Sequence, residues 1–244
     1  MFWGINVYNV LQYYLPTGAI LISPKAPNNA RGVRLVDLDG DGDQEIIVLY
    51  RWRGKACLMI LKDDNKNWTK LADIRGNGFN VDYFRLIDIM GKGTTSIVLG
   101  WELSLKENEL NVYSFEHNKL ICLCNGIKYS KIEVENLNGY KNSIIIWNKV
   151  LAEAYDIKIF SWNGQGIALD NGNYPNFYNK MVSYYMDRLK ELPRAAFYWY
   201  YLADAQIKAN MFKDVVKSID RGISLDSAYP TKEDFEKLKE IASI

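Results

Sequence analysis

Histidine occurs once in these 244 residues, cysteine three times and proline six times. The single histidine, His117, sits in EHNK, a polar stretch read as a hairpin tip, and is read as an exposed turn residue. A zinc site built on Cys122 and Cys124 would need two further ligands, and the chain's only histidine is His117. The cysteines lie in strand-like runs and are read as buried thiols, with Cys122 and Cys124 on one face of a strand. Surplus charge is also missing. Thirty basic residues against 29 acidic ones leave +1, which excludes a global pull toward nucleic acid or an anionic membrane. No window of 18 uncharged apolar residues exists, so no transmembrane segment is expected. The first 24 residues carry no charge, but Asn6, Asn9, Gln12 and Pro16 interrupt them and no basic segment precedes them. No signal peptide is therefore expected in the given chain. No G-x-S-x-G elbow, phosphate-binding loop or dinucleotide glycine pattern occurs, and GNG at 76–78 and NGQG at 163–166 read as turns.

What is present is concentrated acid. Residues 37–45 read DLDGDGDQE, five carboxylates in nine residues between two strand-like runs. At ~6 Å in water each like-charged pair costs roughly 0.7 kcal/mol. Either the loop splays into solvent or something positive occupies its centre. Asp37, Asp39, Asp41 and Glu45 stand at the first, third, fifth and ninth places of a calcium loop. Asp43 would serve the seventh through its carbonyl, and Gly42 allows the tight turn at the sixth. Hard oxygen ligands at this spacing suit Ca²⁺ better than Mg²⁺. The twelfth place is Val48 and the flanks are strands, which excludes an EF-hand. One structural calcium ion is expected, held by Asp37, Asp39, Asp41, Asp43 and Glu45.

The loop belongs to a repeat. DLDGDGDQEIIVLYRW (37–52) aligns with DIMGKGTTSIVLGW (88–101) and NLNGYKNSIIIW (136–147). Each has a polar residue, an apolar one, a glycine turn and then a β-branched run ending in an aromatic. A β-hairpin pattern follows each copy. Units near 31–80, 81–128 and 129–172 would each supply four short antiparallel strands. Lys92 replaces a carboxylate in the second copy and the third offers few charges, so both are expected to be metal-free.

After Asp170 the texture changes. Pro175 suits the first turn of a helix, and 176–192, 195–210, 211–225 and 232–243 show amphipathic helical spacing. Thr231 with Asp234 resembles a capping box. The predicted organisation is a β domain over 1–172 and a helical domain over 173–244. FYWYY (197–201) goes fully round a helix, so it cannot share one face. Phe197 and Tyr200, with Asp204 and Lys208 further along, would line a peptide-facing side of that helix or lie buried against a neighbour.

Two family resemblances rest on these residues. The acidic loop between strands, in blades of this length, resembles the FG-GAP or VCBS repeats of integrin-type β-propellers over roughly 30–170, with the acidic motif kept only in the first copy. From Trp199 the chain resembles one tetratricopeptide repeat, with Trp199, Leu202, Ala203, Phe212, Ile219, Gly222 and Leu225 at its size-patterned positions. The arrangement looks like that of uncharacterised bacterial FG-GAP proteins. It implies a mainly β fold with α: a partial or open propeller-like domain of about three four-stranded blades, then a tetratricopeptide-like helical domain. The expected function is non-enzymatic, a calcium-stabilised interaction or scaffold module binding a protein or an envelope polymer. A polysaccharide-acting hydrolase or lyase with its site in the blade loops, or a carbohydrate-binding module, are the alternatives. An extracytoplasmic or cell-envelope setting is expected if an upstream leader is missing. Propellers close with four or more blades, so three leave strand edges that need covering by the helices or by a second copy.

Overall fold

A computed structural model describes residues 7–28, 30–64, 67–117 and 119–242. Among these residues the protein is mainly β, with thirteen strands in three antiparallel sheets, none closed on itself, and five helices. Two compact units divide the chain.

The first unit comprises residues up to Asn136, Tyr140–Ile146 and Ile159–Leu169. Its first sheet contains β2 (Val33–Val36), β3 (Glu45–Trp52), β4 (Lys55–Asp64) and β5 (Asn67–Arg75), with β1 (Ile20–Leu21) also paired to β3. The second runs β6 (Asn80–Ile87), β7 (Ser96–Glu102), β8 (Asn108–Glu116) and β9 (Lys119–Tyr129) in consecutive order. The third runs β10 (Lys131–Glu135), β11 (Ser143–Leu151), β12 (Ala154–Trp162) and β13 (Ile167–Leu169), and its β11–β12 hairpin is shared between the units.

Unbroken apolar runs mark strands buried on both faces. On β3, Ile47 and Leu49 enter a core with Phe84, Leu99 and Trp101 of the second sheet. Alternate residues Ile46, Val48 and Tyr50 enter another with Leu11. Leu11 belongs to α1 (Val7–Tyr14), a helix that the uncharged N-terminal sequence did not announce. On the other side of the second sheet, Val98 and Val112 pack with Ile132, Ile144 and Ile146 of the third. Burying these β-branched and aromatic side chains stabilises each strand by roughly 1.5–3 kcal/mol per side chain.

The segment before β2 lies along the free edge of β6. Lys25 N–H donates to Val81 O at 3.2 Å, Ala26 N–H to Asp82 O at 2.7 Å, and Phe84 N–H to Ala26 O at 3.0 Å. That parallel bridge covers an edge that would otherwise invite pairing with another chain. Two expectations for the cysteines are corrected: Cys57 is buried, but Cys122 is exposed and Cys124 half-buried, and Cys122 and Cys124 do not share a face. A bulge at Leu123 sets Cys122 opposite Tyr113 and Cys124 opposite Val112, neighbours on β8 that face opposite sides.

The second unit comprises Leu137–Gly139, Trp147–Lys158 and the chain from Asp170 onward. Its helices are α2 (Pro175–Glu191), α3 (Ala196–Lys208), α4 (Phe212–Ile223) and α5 (Lys232–Ala242). Pro175 opens α2. Thr231 and Asp234 cap α5 reciprocally, Asp234 N–H donating to Thr231 Oγ1 at 3.3 Å and Thr231 N–H to Asp234 Oδ2 at 3.0 Å. The FYWYY stretch of α3 is apolar all round because the helix is enclosed. Tyr198 and Tyr201 meet Tyr185 of α2 with centroids 6.3 and 6.0 Å apart, while Ala203 packs with Val215, Ile219 and Phe235. Tyr185 in turn holds the hairpin end: its hydroxyl donates to Tyr155 O at 3.0 Å and accepts from Tyr155 N–H at 3.2 Å.

Candidate metal centre

The acidic loop joins β2 to β3, two paired strands whose register (Val36 opposite Glu45) anchors both of its ends. Left-handed glycines Gly40 (φ 80°) and Gly42 (φ 93°) fold it back. Asp37 organises that turn, accepting from Gly40 N–H at 2.7 Å and from Gly42 N–H at 3.0 Å. Asp39 and Asp41 each accept a backbone N–H two residues on, at 3.4 and 2.8 Å. Glu45 is fully buried, and its Oε2 accepts from Leu38 N–H at 2.8 Å.

Three of the five expected ligands come together: oxygens of Asp37, Asp39 and Glu45 lie within 4.8 Å of one another. Asp41 and Asp43 stand outside that group, and Asp43 is exposed. Carboxylate oxygens grouped this closely could hold a hard divalent cation.

The positive group that sequence reasoning missed is Lys62, on β4. Its ammonium lies 2.5 Å from Asp41 Oδ2, 3.0 Å from Asp39 Oδ2 and 3.2 Å from Glu45 Oε1, with the lysine side chain 12% exposed. Burial opposes the charge on Lys62, but Asp41, Asp39 and Glu45 outweigh it and raise its pKa above lysine's ordinary value. Its partners respond unequally. Burial pushes the Glu45 carboxyl up, against the pull of Leu38 N–H and Lys62, whereas Lys62 and Asp43 N–H draw exposed Asp41 down. Glu45 Oε1 accepts no hydrogen bond of good geometry. The signal for Lys62 was available in the hairpin register: Trp52 pairs with Lys55 and Ile46 with Leu61, so one more step sets Lys62 opposite Glu45.

The second loop folds the same way without the acids. Asp88 accepts from Gly91 N–H at 2.7 Å and Gly93 N–H at 2.6 Å, matching Asp37, and also from Met90 and Lys92. Lys92 extends over the Trp162 ring at 5.2 Å.

The residues expected to line a peptide-facing side of α3, Phe197, Tyr200, Asp204 and Lys208, are each half-buried and in contact with neighbours. Tyr200 packs edge-on against Phe235 of α5 at 5.5 Å, and Phe197 lies against Tyr198 at 4.4 Å. Asp204 pairs with Lys208 at 2.7 Å, and Lys208 lies over the Tyr178 ring of α2 at 5.4 Å.

Two further features bear on function. The buried carboxylates Glu102 and Glu109 sit at the β7–β8 turn, paired with Lys25 (2.5 Å) and Lys128 (3.5 Å). Trp101 lies opposite Glu109 and Asn108 opposite Glu102, so the two acids point to opposite faces and do not form a catalytic pair. A cavity of about 360 Å³ lies over the Tyr50–Cys57–Arg75 row of the first sheet, walled by Tyr14, Trp52 and Lys70. Its Asp73 is already engaged, by Tyr50 hydroxyl at 2.6 Å and Lys70 at 2.8 Å, leaving the lining net cationic. No helix among the described residues is long and apolar enough to cross a membrane. No family model and no curated protein matches this chain.

Proposed function

We propose that the protein is a non-enzymatic interaction module, with a propeller-like stack of three blades stabilised by one Ca²⁺ and a tetratricopeptide-like helical segment. The observation that carries the calcium reading is the convergence of Asp37, Asp39 and Glu45 oxygens within 4.8 Å. The ion's role in this reading is structural, because the loop it would hold ties β2 to its partner β3. Three sheets whose strands follow chain order apart from β1 beside β3, sharing cores with their neighbours, support the propeller-like reading. Close packing of Gly222 against Phe235 supports the tetratricopeptide-like one.

The aromatic and cationic cavity beside Tyr50 supports the binding role. Flat rings offer stacking surface and Arg75 offers a fork for a carboxylate, which suits an acidic polymer of the envelope or an acidic protein segment. Calcium titration of the whole chain tests the first part. At calcium a hundredfold above the dissociation constant the folded state gains about 2.7 kcal/mol by linkage. The unfolding midpoint should rise accordingly, and Asp39→Ala should abolish the rise. An unchanged midpoint for the wild type in millimolar calcium would overturn the reading.

A further inference from the structure

The ammonium of Lys62 occupies the middle of the loop that reads as a metal site. The three copies of the loop allow an internal comparison. The residue that opens the strand after each loop is Glu45 in the first, Ser96 in the second and Ser143 in the third. Its cross-strand partner is Lys62 in the first and Ser114 in the second, by continuing the hairpin registers one step, and Ser161 in the third, by its side-chain hydrogen bond. All of the serines are buried, and Ser143 and Ser161 share a hydrogen bond of 2.8 Å. The lysine therefore occurs where the carboxylates occur, and a neutral pair takes its place where they are gone. An ordinary surface salt bridge would show no such coupling to burial. Here Glu45 is fully buried, with one oxygen lacking a hydrogen bond and aimed at the ammonium.

We propose that Lys62 is the built-in counter-cation of the acidic loop and sets its metal affinity, because a divalent ion must take the place of its ammonium between Asp39 and Glu45. This rests on the calcium reading above and deepens it. With no metal, the loop keeps its fold because Lys62 offsets the crowded charge. With calcium, two positive centres cannot share the same oxygens, and the flexible lysine stem lets its head swing to solvent. Affinity is lowered by the cost of that displacement, so the site fills only where calcium is plentiful.

Two measurements on the full chain test this. In the wild type, reductive methylation of the Lys62 amine, read by mass spectrometry, should be suppressed without calcium and restored by millimolar calcium. In Lys62→Met, calorimetric titration should show calcium bound about tenfold or more tighter than in the wild type, since a charge about 3 Å from the ligand oxygens has been removed. Without calcium that variant should unfold at a lower midpoint, and calcium should restore it. If Lys62→Met does not fold, the labelling of the wild type still decides. Calcium binding with Lys62 labelling unchanged, or an affinity in Lys62→Met no higher than in the wild type, overturns the proposal while leaving the calcium reading intact. No calcium response in either protein overturns both.

Discussion

Gly222→Ala sets two effects of known size against each other. Gly222 lies one residue from the end of α4, where exchanging glycine for alanine stabilises a helix by up to about 1 kcal/mol through propensity alone. Packing argues the other way. An added Cβ would stand 2.2 Å from Phe235 Cζ and 2.3 Å from its Cε1, more than 1 Å inside ordinary contact. The ring cannot easily retreat: Phe235 is 1% exposed and meets the Tyr200 ring edge-on at 5.5 Å. Overpacking of a close-packed site costs about 1–3 kcal/mol, and an overlap deeper than 1 Å belongs to the upper part of that range, about 2–3 kcal/mol, so the net result should be a loss of about 1–2 kcal/mol after the propensity gain. Urea unfolding followed by helical circular dichroism measures it. The double variant Gly222→Ala, Phe235→Leu should recover part of the loss, because the shorter side chain vacates the space. A Gly222→Ala protein as stable as the wild type, or more so, would refute the argument that this close approach is what requires glycine.

Asp88→Ala removes a carboxylate that accepts four backbone N–H groups. It should lower stability by about 1–3 kcal/mol, with exposure of the loop keeping it toward the low end; the loss should be the same with and without calcium, since this loop lacks the acid cluster, and a calcium-dependent loss in thermal unfolding would contradict that. A fragment ending at residue 172 removes the helices from a unit that includes Trp147–Lys158. It strips Tyr155 of both bonds to Tyr185, and Glu153 O of its 2.9 Å bond from Tyr184, so the fragment should aggregate or fail to fold, and a soluble, well-folded dimer in ultracentrifugation would sink the idea.

Much of the fold was legible because its local signals agree with one another. The four C-terminal helices fall within a few residues of their expected limits, since all show apolar spacing, α2 adds a stop at Pro193 and α5 a cap from Thr231 with Asp234. The strands after each loop were equally plain, because a run such as Ile46–Tyr50, buried on both faces, has no polar alternation to blur it. Three features escaped for physical reasons. α1 is a short helix held by Leu11 against the first sheet, so tertiary burial rather than propensity makes it. The bulge at Leu123 is a register shift between two strands and leaves no mark on either strand alone. The cover that Lys25 and Ala26 give to β6 uses only backbone groups, which every sequence possesses.

The acidic loop separates what a local pattern carries from what a pairing carries. The spacing of Asp37, Asp39 and Glu45 led to the expectation of a calcium ion; the positive group that the structure sets against Asp39 and Glu45 is Lys62, from the strand after next. Arg53 and Gly54 at the hairpin turn, with φ of 47° and 74°, fix the count that brings Lys62 opposite Glu45. Adding one residue to that turn would shift every pair beyond it and turn Lys62 to the other face of the sheet. Glu45 would then be buried without a counter-charge, a loss of about 3–5 kcal/mol. The two-residue turn and the acid loop are therefore parts of one electrostatic arrangement. The second loop, with Lys92 in place of a carboxylate and Ser96 in place of Glu45, holds the same backbone shape under no such constraint.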